Sequence, residues 1–409
     1  MKKLLAVFFI LFSIILSGCT RNISSHATTI KFSSWGSQSE VTILKKLIED
    51  FEKKNPDIKV EFMHIPQNYF QKLHLLFASN LAPDVVFINN IYAPIYINAN
   101  LLEDLKPYFQ EEIRNNVFYE NTIKSFSYED KIYAIPRDVS NLVIYYNKDL
   151  FNKYKIKYPE KNWTISDFLR ISQEINKKGI FAINSETDSL YWLYFVSTNG
   201  GGILSDNKKR MIITDKNSIE ALQFYSDLVN KYKVAPTKSQ TSSKTGAQMF
   251  VNGEIAMYLS GRWMVPKLRE IAHFNWDIIN FPCSTKGETL VDSSAWAVSK
   301  NSKNKDASIK LIKFLSSKNS IEKLSDSGLI IPARIDVANS DYFLSKEKKP
   351  LNSHLFLETI KNSKPTPVNK NYAQINDILN ETLEPLFNGN KAAKEVINEN
   401  LEKKLNDLL

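Results

Sequence analysis

The sequence predicts an α/β protein whose first part is a doubly wound, mainly parallel sheet. Three observations carry that prediction. Runs with strand-like alternation and runs with helical spacing take turns between residues 29 and 89. The segments joining them are short. The third strand run, "DVVFIN" from Asp84 to Asn89, is the β-branched, uninterrupted kind typical of a strand buried on both faces. Strand–helix–strand–helix–strand with connections this short implies parallel strands joined by crossovers.

Taken in order, the chain opens with Lys2 and Lys3, an apolar stretch from Leu4 to Leu16, then Ser17, Gly18 and Cys19. The stretch is too short and wrongly flanked for a membrane span. It has the form of a lipoprotein export signal over residues 1–18, in which Cys19 is acylated and becomes the mature N-terminus. Stable anchoring then takes two or more acyl chains, each buried CH₂ adding about 0.8 kcal/mol. Residues 20–28 are polar and aperiodic, as a tether would be. "TIKFSSW" reads as the first strand. Ser37 to Glu40 has the S-x-x-E form of a capping box, and Val41, Leu44, Leu47, Ile48 and Phe51 follow at helical spacing. Asn55-Pro56 stops that helix. "DIKVEFMHI" is the second strand and "YFQKLHLLFASN" the second helix.

Further on, a strand ends at Pro136 and another apolar run spans Leu142 to Tyr146. Thr164 to Lys178 is an amphipathic helix, with Thr164 and Asp167 in capping positions and Gly179 as its stop. Ser218 to Tyr232 is a second such helix. "NGEIAMYLSGRW" reads as strand then turn, "FNWDIINFP" and "SSAWAVSK" as strands, and "KDASIKLIKFLSS" as a helix. Lys361 to Pro367 reads as a surface loop, and the part after Lys370 as helical.

Length and composition bound the rest. At 409 residues the chain can bury a substantial core in two or three lobes, and 43% hydrophobic content suits a globular protein. Once Cys19 is lipidated only Cys283 remains, so no intramolecular disulfide can form. The net charge is +9, carried mainly by lysines scattered beside Asp and Glu. Without an Arg-rich block with interleaved aromatics, this reads as a solvated surface and not as a nucleic-acid interface.

In an open parallel sheet, ligands bind beyond the carboxyl ends of the strands. Trp35, Ser37 and Gln38 follow the first strand there, and Asn89, Asn90 and Tyr92 the third. Arg137 and Asp138 follow the strand ending at Pro136, and Arg262 and Trp263 the one ending "IAMYLS". Tyr191 and Trp192 on an expected helix, and Trp296 in "SSAWAVSK", add aromatic faces. Trp163 and Trp276 are assigned to the core. Aromatic faces with amides, hydroxyls and a few charges suit a sugar. Its C–H patches stack on flat rings, while the polar groups fix its hydroxyls.

Catalytic signatures are absent from the sequence. Five scattered histidines lack metal-ligand spacing, and there is no cysteine cluster, so no metal or other cofactor is expected. No G-x-S-x-G elbow occurs. "NGGGILSD", Asn199 to Asp206, lacks the ending of a phosphate loop and reads as a turn. Paired carboxylates for a glycosidase could be drawn from 44 acidic residues in many ways, which makes that signal unspecific.

Taken together and in order, several segments resemble the extracellular solute-binding proteins of the maltose-binding type, receptors of ABC importers. They are the "WG" after the first strand, "ASNLAPDVVFIN", "YAIPRDVSNLVIYYNKDLF", "NWTISDFL", "STNGGGILSD", "FVNGEIAMYLSGRWMV", "SSAWAVSKNSKNKDASIKLIKFLSS" and "GLIIPAR". Two departures fall near the expected ligand. Ser293-Ser294 stands where the family often has a glycine pair, and Arg262 where many members have proline. The resemblance implies a two-lobed clamp, each lobe a mainly parallel sheet flanked by helices, with a helical C-terminus. Residues 29–136 and 280–316 would form the first lobe, and 137–279 and 317–409 the second. It further implies a non-enzymatic, monomeric receptor on the extracellular face of the membrane, held by lipid on Cys19. The receptor would deliver a carbohydrate to permease subunits, with Arg334 on the rim of the cleft. A receptor for a glycerol-phosphate-like anion, anchored by Arg137 and Arg262, is the alternative within the fold. A surface-anchored glycoside hydrolase is the alternative outside it.

Overall fold

The computed structural model describes residues 27–284, 286–361 and 363–409. The lipoprotein signal, Cys19 and most of the tether lie outside the described residues.

The first sheet grows from the predicted alternation. Strand β1 (Thr28–Ser34) buries Ile30 and Phe32. Helix α1 (Gln38–Lys54) returns over it, burying Val41, Leu44, Leu47, Ile48 and Phe51. Strand β2 (Ile58–His64), helix α2 (Tyr69–Ala78) and strand β3 (Val85–Asn89) follow. Both β2 and β3 pair with β1 in parallel. Residues Val85 to Ile88 are wholly buried, as a central strand covered on both faces must be. A short hairpin, β4 (Ser127–Tyr128) and β5 (Lys131–Ile132), precedes β6 (Ile135–Ser140).

The chain then turns at Asn141 into β7 (Leu142–Asn147), which belongs to a second sheet. Helices α3 (Ile165–Asn176) and α4 (Ser189–Thr198) follow. The Thr164–Asp167 capping box predicted for α3 is formed in both directions. After α5 (Gly246–Val251) comes β8 (Met257–Gly261), a single 3-10 turn at Arg262–Met264, α6 (Val265–Ile271) and β9 (Trp276–Ile279). Strand β10 (Thr289–Val298) returns to the first sheet, and after helix α7 (Lys318–Asp326) the short strand β11 (Ile331–Pro332) joins the sheet's edge. Helix α8 (His354–Lys361), strand β12 (Ser363–Pro365) and helix α9 (Tyr372–Phe387) complete the main elements. The first sheet runs β11-β6-β10-β3-β1-β2, with β12 paired to β10. The second runs β8-β7-β9. No helix among the described residues is long and apolar enough to cross a membrane.

Four expectations are corrected. Residues 137–140 stay in the first sheet, because β6 runs past Pro136 and pairs with β10 as far as Ser140. The crossing point is therefore Asn141, whose Nδ2 donates to Phe356 O at 2.9 Å. Residues Ile331 and Pro332 also pair in the first sheet, against β6. The second sheet is antiparallel throughout, since β7 leaves the crossing while β8 and β9 return to it. Lys361 to Pro367 is no free loop: Ser363 to Pro365 align in register with Thr289 to Val291.

The second lobe has its own core, in which Trp192, Phe195, Tyr225 and the apolar face of α9 (Ile375, Leu379, Leu383, Leu386) pack together. A second cluster runs continuously from β1 and α1 through α6, α7 and α8 to β7 and β9, so the lobes share packed side chains where the chain crosses.

Candidate functional site

Beyond the carboxyl end of β1, Trp35 lies 40% exposed. Its ring packs on Phe87 (5.8 Å between centroids) and Phe70 (6.0 Å), and Phe70 lies flat against Tyr92 at 3.9 Å. Together these rings form an aromatic shelf with one free face. Gly36 makes the shelf possible. Its φ of +130° is a backbone that side-chain-bearing residues rarely adopt, and a Cβ there would collide with the Glu40 carboxylate. Ser37 caps α1 by accepting from Glu40 N at 3.3 Å, and Gln38 is exposed in the first turn.

Only half of the predicted capping box exists, because Glu40 turns inward instead. Arg137 Nη1 donates to Glu40 Oε1 at 2.5 Å, and Arg137 Nε donates to Asp138 Oδ2 at 2.7 Å. The guanidinium lies over the Phe87 ring, 4.9 Å from its centroid. Burial opposes the arginine's charge, but Asp138 and Glu40 outweigh it and hold the pKa above its ordinary value. Asp138 also accepts from Ser294 N through Oδ1 at 3.0 Å. Arg137 and Asp138 are therefore internal braces, fully engaged with each other and with their neighbours.

Asn89 accepts from Tyr92 N at 3.0 Å and shapes the turn that presents the tyrosine. Asn90 is buried and ties β3 to β10, accepting from Ser293 N at 2.9 Å and donating to Asp292 Oδ1 at 2.8 Å. The serine pair that departs from the family pattern thus joins this junction. Ser293 Oγ donates to Asp138 O at 2.7 Å.

On the second lobe, Trp263 is also 40% exposed, and its ring lies so close over Gly261 that a Cβ there would collide with it. Tyr191 is half-buried at the start of α4, and burial first of all raises its pKa, with Tyr258 and Glu186 adding to the effect. Other expected contacts are not available to a solute. Trp192 and Trp296 have no exposed surface. Trp192 fills the second lobe's core, and Trp296 sits in the middle of β10 opposite Phe87 and Ile135. Arg262 is buried between Phe343 (4.5 Å) and Phe356 (5.2 Å), donating to Gly328 O and Ser353 Oγ. No carboxylate pairs with it, and burial pushes its pKa down to about 9. Arg334 is committed to Asp336 at 3.0 Å and to Ser316 O at 3.3 Å, with its guanidinium over Phe118.

The structure adds residues that the sequence reading missed. Residues 181–184 run along the free edge of β8, with Met257 N donating to Ala182 O and Leu259 N to Asn184 Oδ1. They carry Glu186 and Asp188 to the Gly261 end of that strand. Burial raises the Glu186 carboxyl above its usual range, while Asn184 and the Gly246 amide pull it back. Asp188 caps α4 through Leu190 N at 2.8 Å. The Tyr92 phenol is raised by burial, then by Asp377 and Asp188. Ile91, next to Tyr92, packs against the second lobe's core, so the end of β3 reaches the other lobe. The only sequence signal was a polar run, "NSETDS", before an aromatic helix. Among the described residues no group of three or more His, Cys, Asp or Glu side chains could hold a metal ion.

Comparison with known proteins places this geometry. The family model described as bacterial extracellular solute-binding protein matches residues 35–320. The galactooligosaccharide-binding protein of Bacillus subtilis is 22% identical over 385 residues, 90% of this chain and 87% of its own. An ABC substrate-binding protein from Listeria monocytogenes, solved in complex with cycloalternan, superposes with a TM-score of 0.86 at 27% identity, covering 93% of this chain and 98% of its own. Maltose-bound MalE3 of T. maritima does so with a TM-score of 0.81 at 25% identity, covering 94% and 100%. With the family model covering most of the chain and the two-lobed fold shared across nearly its full length, the chain belongs to the bacterial extracellular solute-binding proteins.

Proposed function

We propose that this chain is the substrate receptor of an ABC importer, that it binds a short oligosaccharide between its lobes, and that lipid on Cys19 holds it at the outer face of the membrane. The observation that carries the sugar reading is the aromatic shelf of Trp35, Phe70, Phe87 and Tyr92. It leaves one ring face free beside polar groups, the pairing of surfaces that a pyranose requires. Trp263 supplies a second exposed face from the other lobe. The relatives named for oligosaccharides, and the neighbours solved with cycloalternan and maltose, support the same class.

The site residues under this reading are Trp35, Gln38 and Tyr92 from the first lobe, and Tyr191, Glu186, Asp188 and Trp263 from the second. Drawing groups from both lobes matters, because a solute stabilises closure only through contacts that the closed form improves. The anionic alternative is weakened, since both of its arginine anchors are buried and engaged. The lipid on Cys19 would raise the receptor's effective concentration at its permease.

The test is a thermal-shift screen of residues 20–409 against mono- and oligosaccharides and sugar phosphates. Ligand at about a hundred times its Kd stabilises by roughly 2.7 kcal/mol. A shift with one saccharide class, the sugar being recovered uncleaved, supports the reading. A shift with sugar phosphates alone, or with no sugar at all, overturns it.

A further inference from the structure

We infer that the solute site continues past the interlobe cleft along one face of α9, where a hollow holds the far end of an extended oligosaccharide. This rests on the carbohydrate reading and deepens it. The hollow encloses about 330 Å³ and is lined by Asp188, Lys238, Asn380, Glu384, Phe387 and Asn388, with Thr187 at its edge. That volume lies at the small end of ligand pockets.

The helix itself lays out the track. Its apolar residues Ile375, Leu379, Leu383 and Leu386 face the second lobe's core. Asp377, Asn380, Glu384 and Asn388 recur at three- and four-residue spacing and are all exposed, so they form one stripe. The hollow adjoins the cleft through Asp188, which caps α4 one turn before Tyr191 and also lines the hollow. Ile91, next to Tyr92, packs against the same second-lobe core as α9. The hollow therefore continues the second-lobe side of the cleft.

The lining selects the chemistry. Lys238 Nζ stands 3.0 Å from Glu384 Oε1 across the hollow, with the amides of Asn380 and Asn388 nearby. Half-buried Phe387 is fixed edge-on against Tyr225 at 5.9 Å and offers an apolar face. An anion would meet Asp188 and Glu384, a cation would meet Lys238, and an apolar ligand would meet charge on most walls. A neutral polyhydroxy chain satisfies all of these groups, because each hydroxyl both donates and accepts and one ring face can lie on Phe387.

The test measures affinity as a function of chain length. The protein is titrated by calorimetry with maltodextrin, galactooligosaccharide and arabinooligosaccharide ladders, as wild type and as Asn380→Ala, Phe387→Ala and Trp35→Ala. In the ladder that binds, longer members should bind about tenfold more tightly than the shortest, the gain from one added ring face and one or two hydrogen bonds. Asn380→Ala, at an exposed position that does not threaten folding, and Phe387→Ala should erase that gain and leave the shortest member unchanged. Trp35→Ala should weaken every length. Equal affinity for short and long members, or a gain that survives both substitutions, overturns the extended site and leaves the cleft reading intact. Failure of every ladder to bind overturns both.

Discussion

Arg137 Nη1 donates to Glu40 Oε1 across 97 positions of chain, with both side chains buried. The pair fastens β6, which leads to the Asn141 crossing, to the first turn of α1 behind Gly36. Through the Phe87 ring beneath its guanidinium, Arg137 also supports the surface on which Trp35 rests. The shelf that would meet the solute and the strand that leads to the other lobe are thus parts of one rigid assembly.

Removing the cation should be costly. Arg137→Met leaves two buried carboxylates, Glu40 and Asp138, without their partner. The expected loss is about 3–5 kcal/mol, the scale for breaking a buried ion pair from one side, read from urea denaturation.

Arg262→Met should behave differently. This arginine is just as buried but has no carboxylate partner, and burial already depresses its pKa to about 9. Methionine keeps the packing between Phe343 and Phe356 and removes a charge that has no carboxylate partner, and this offsets the lost hydrogen bonds to Gly328 O and Ser353 Oγ. Stability should change by no more than about 1 kcal/mol in the same titration, with solute affinity unaltered. A loss as large as that of Arg137→Met would refute the contrast.

Trp35→Ala should separate binding from folding. The ring is exposed on one face, so stability should hold, while affinity for the saccharide that binds falls by about 2 kcal/mol, roughly thirtyfold, as for a central aromatic contact. Calorimetry and thermal melts of the same variant read the two effects.

Two glycine substitutions test the local geometry. Gly36→Ala must accept a φ of +130° and a collision with Glu40, at about 2–3 kcal/mol. Gly179→Ala has a φ of +81° with nothing within 4 Å of the new Cβ, and should cost only about 1 kcal/mol.

Asp292 predicts a pH dependence. Burial raises its carboxyl, while Asn90 and Thr366 pull it back, and Tyr194 and Tyr372 stand near it. The folded state therefore binds the proton more tightly than the unfolded state. The stability this group contributes is complete below the ordinary carboxylate pKa and is lost as pH rises through the raised folded value. Asp292→Asn should match wild type in acid and exceed it at neutral pH, as read by denaturant titration at both. An equal difference at both pH values would refute the prediction.

Much of the fold was legible because periodicity reports burial directly. The five apolar residues of α1 predicted to share a face are all buried, and the Thr164–Asp167 box closes as the spacing implied. Trp163, assigned to the core beside a helix cap, and Trp276, assigned to it inside an apolar strand, are both buried. The exposure of Trp35 and Trp263 was marked by a glycine beside the ring or one residue from it at a strand end, where the backbone must turn under a large ring. The partners of Glu40 were hidden. Locally it completes a capping box, but a buried arginine 97 positions away offers a charged partner, and that interaction prevails.

By itself, then, the sequence determined the element order, the faces that pack and the family, since each depends on neighbours within a few residues or on segments kept in order. The tertiary structure decided which tryptophans and arginines are free to touch a solute, where the chain crosses between lobes, and that the second sheet is antiparallel. Those outcomes depend on which distant surfaces come to cover a residue. Trp192 and Trp35 were both read as solute contacts from the sequence, but only Trp192 is enclosed by surfaces that distant parts of the chain bring to it.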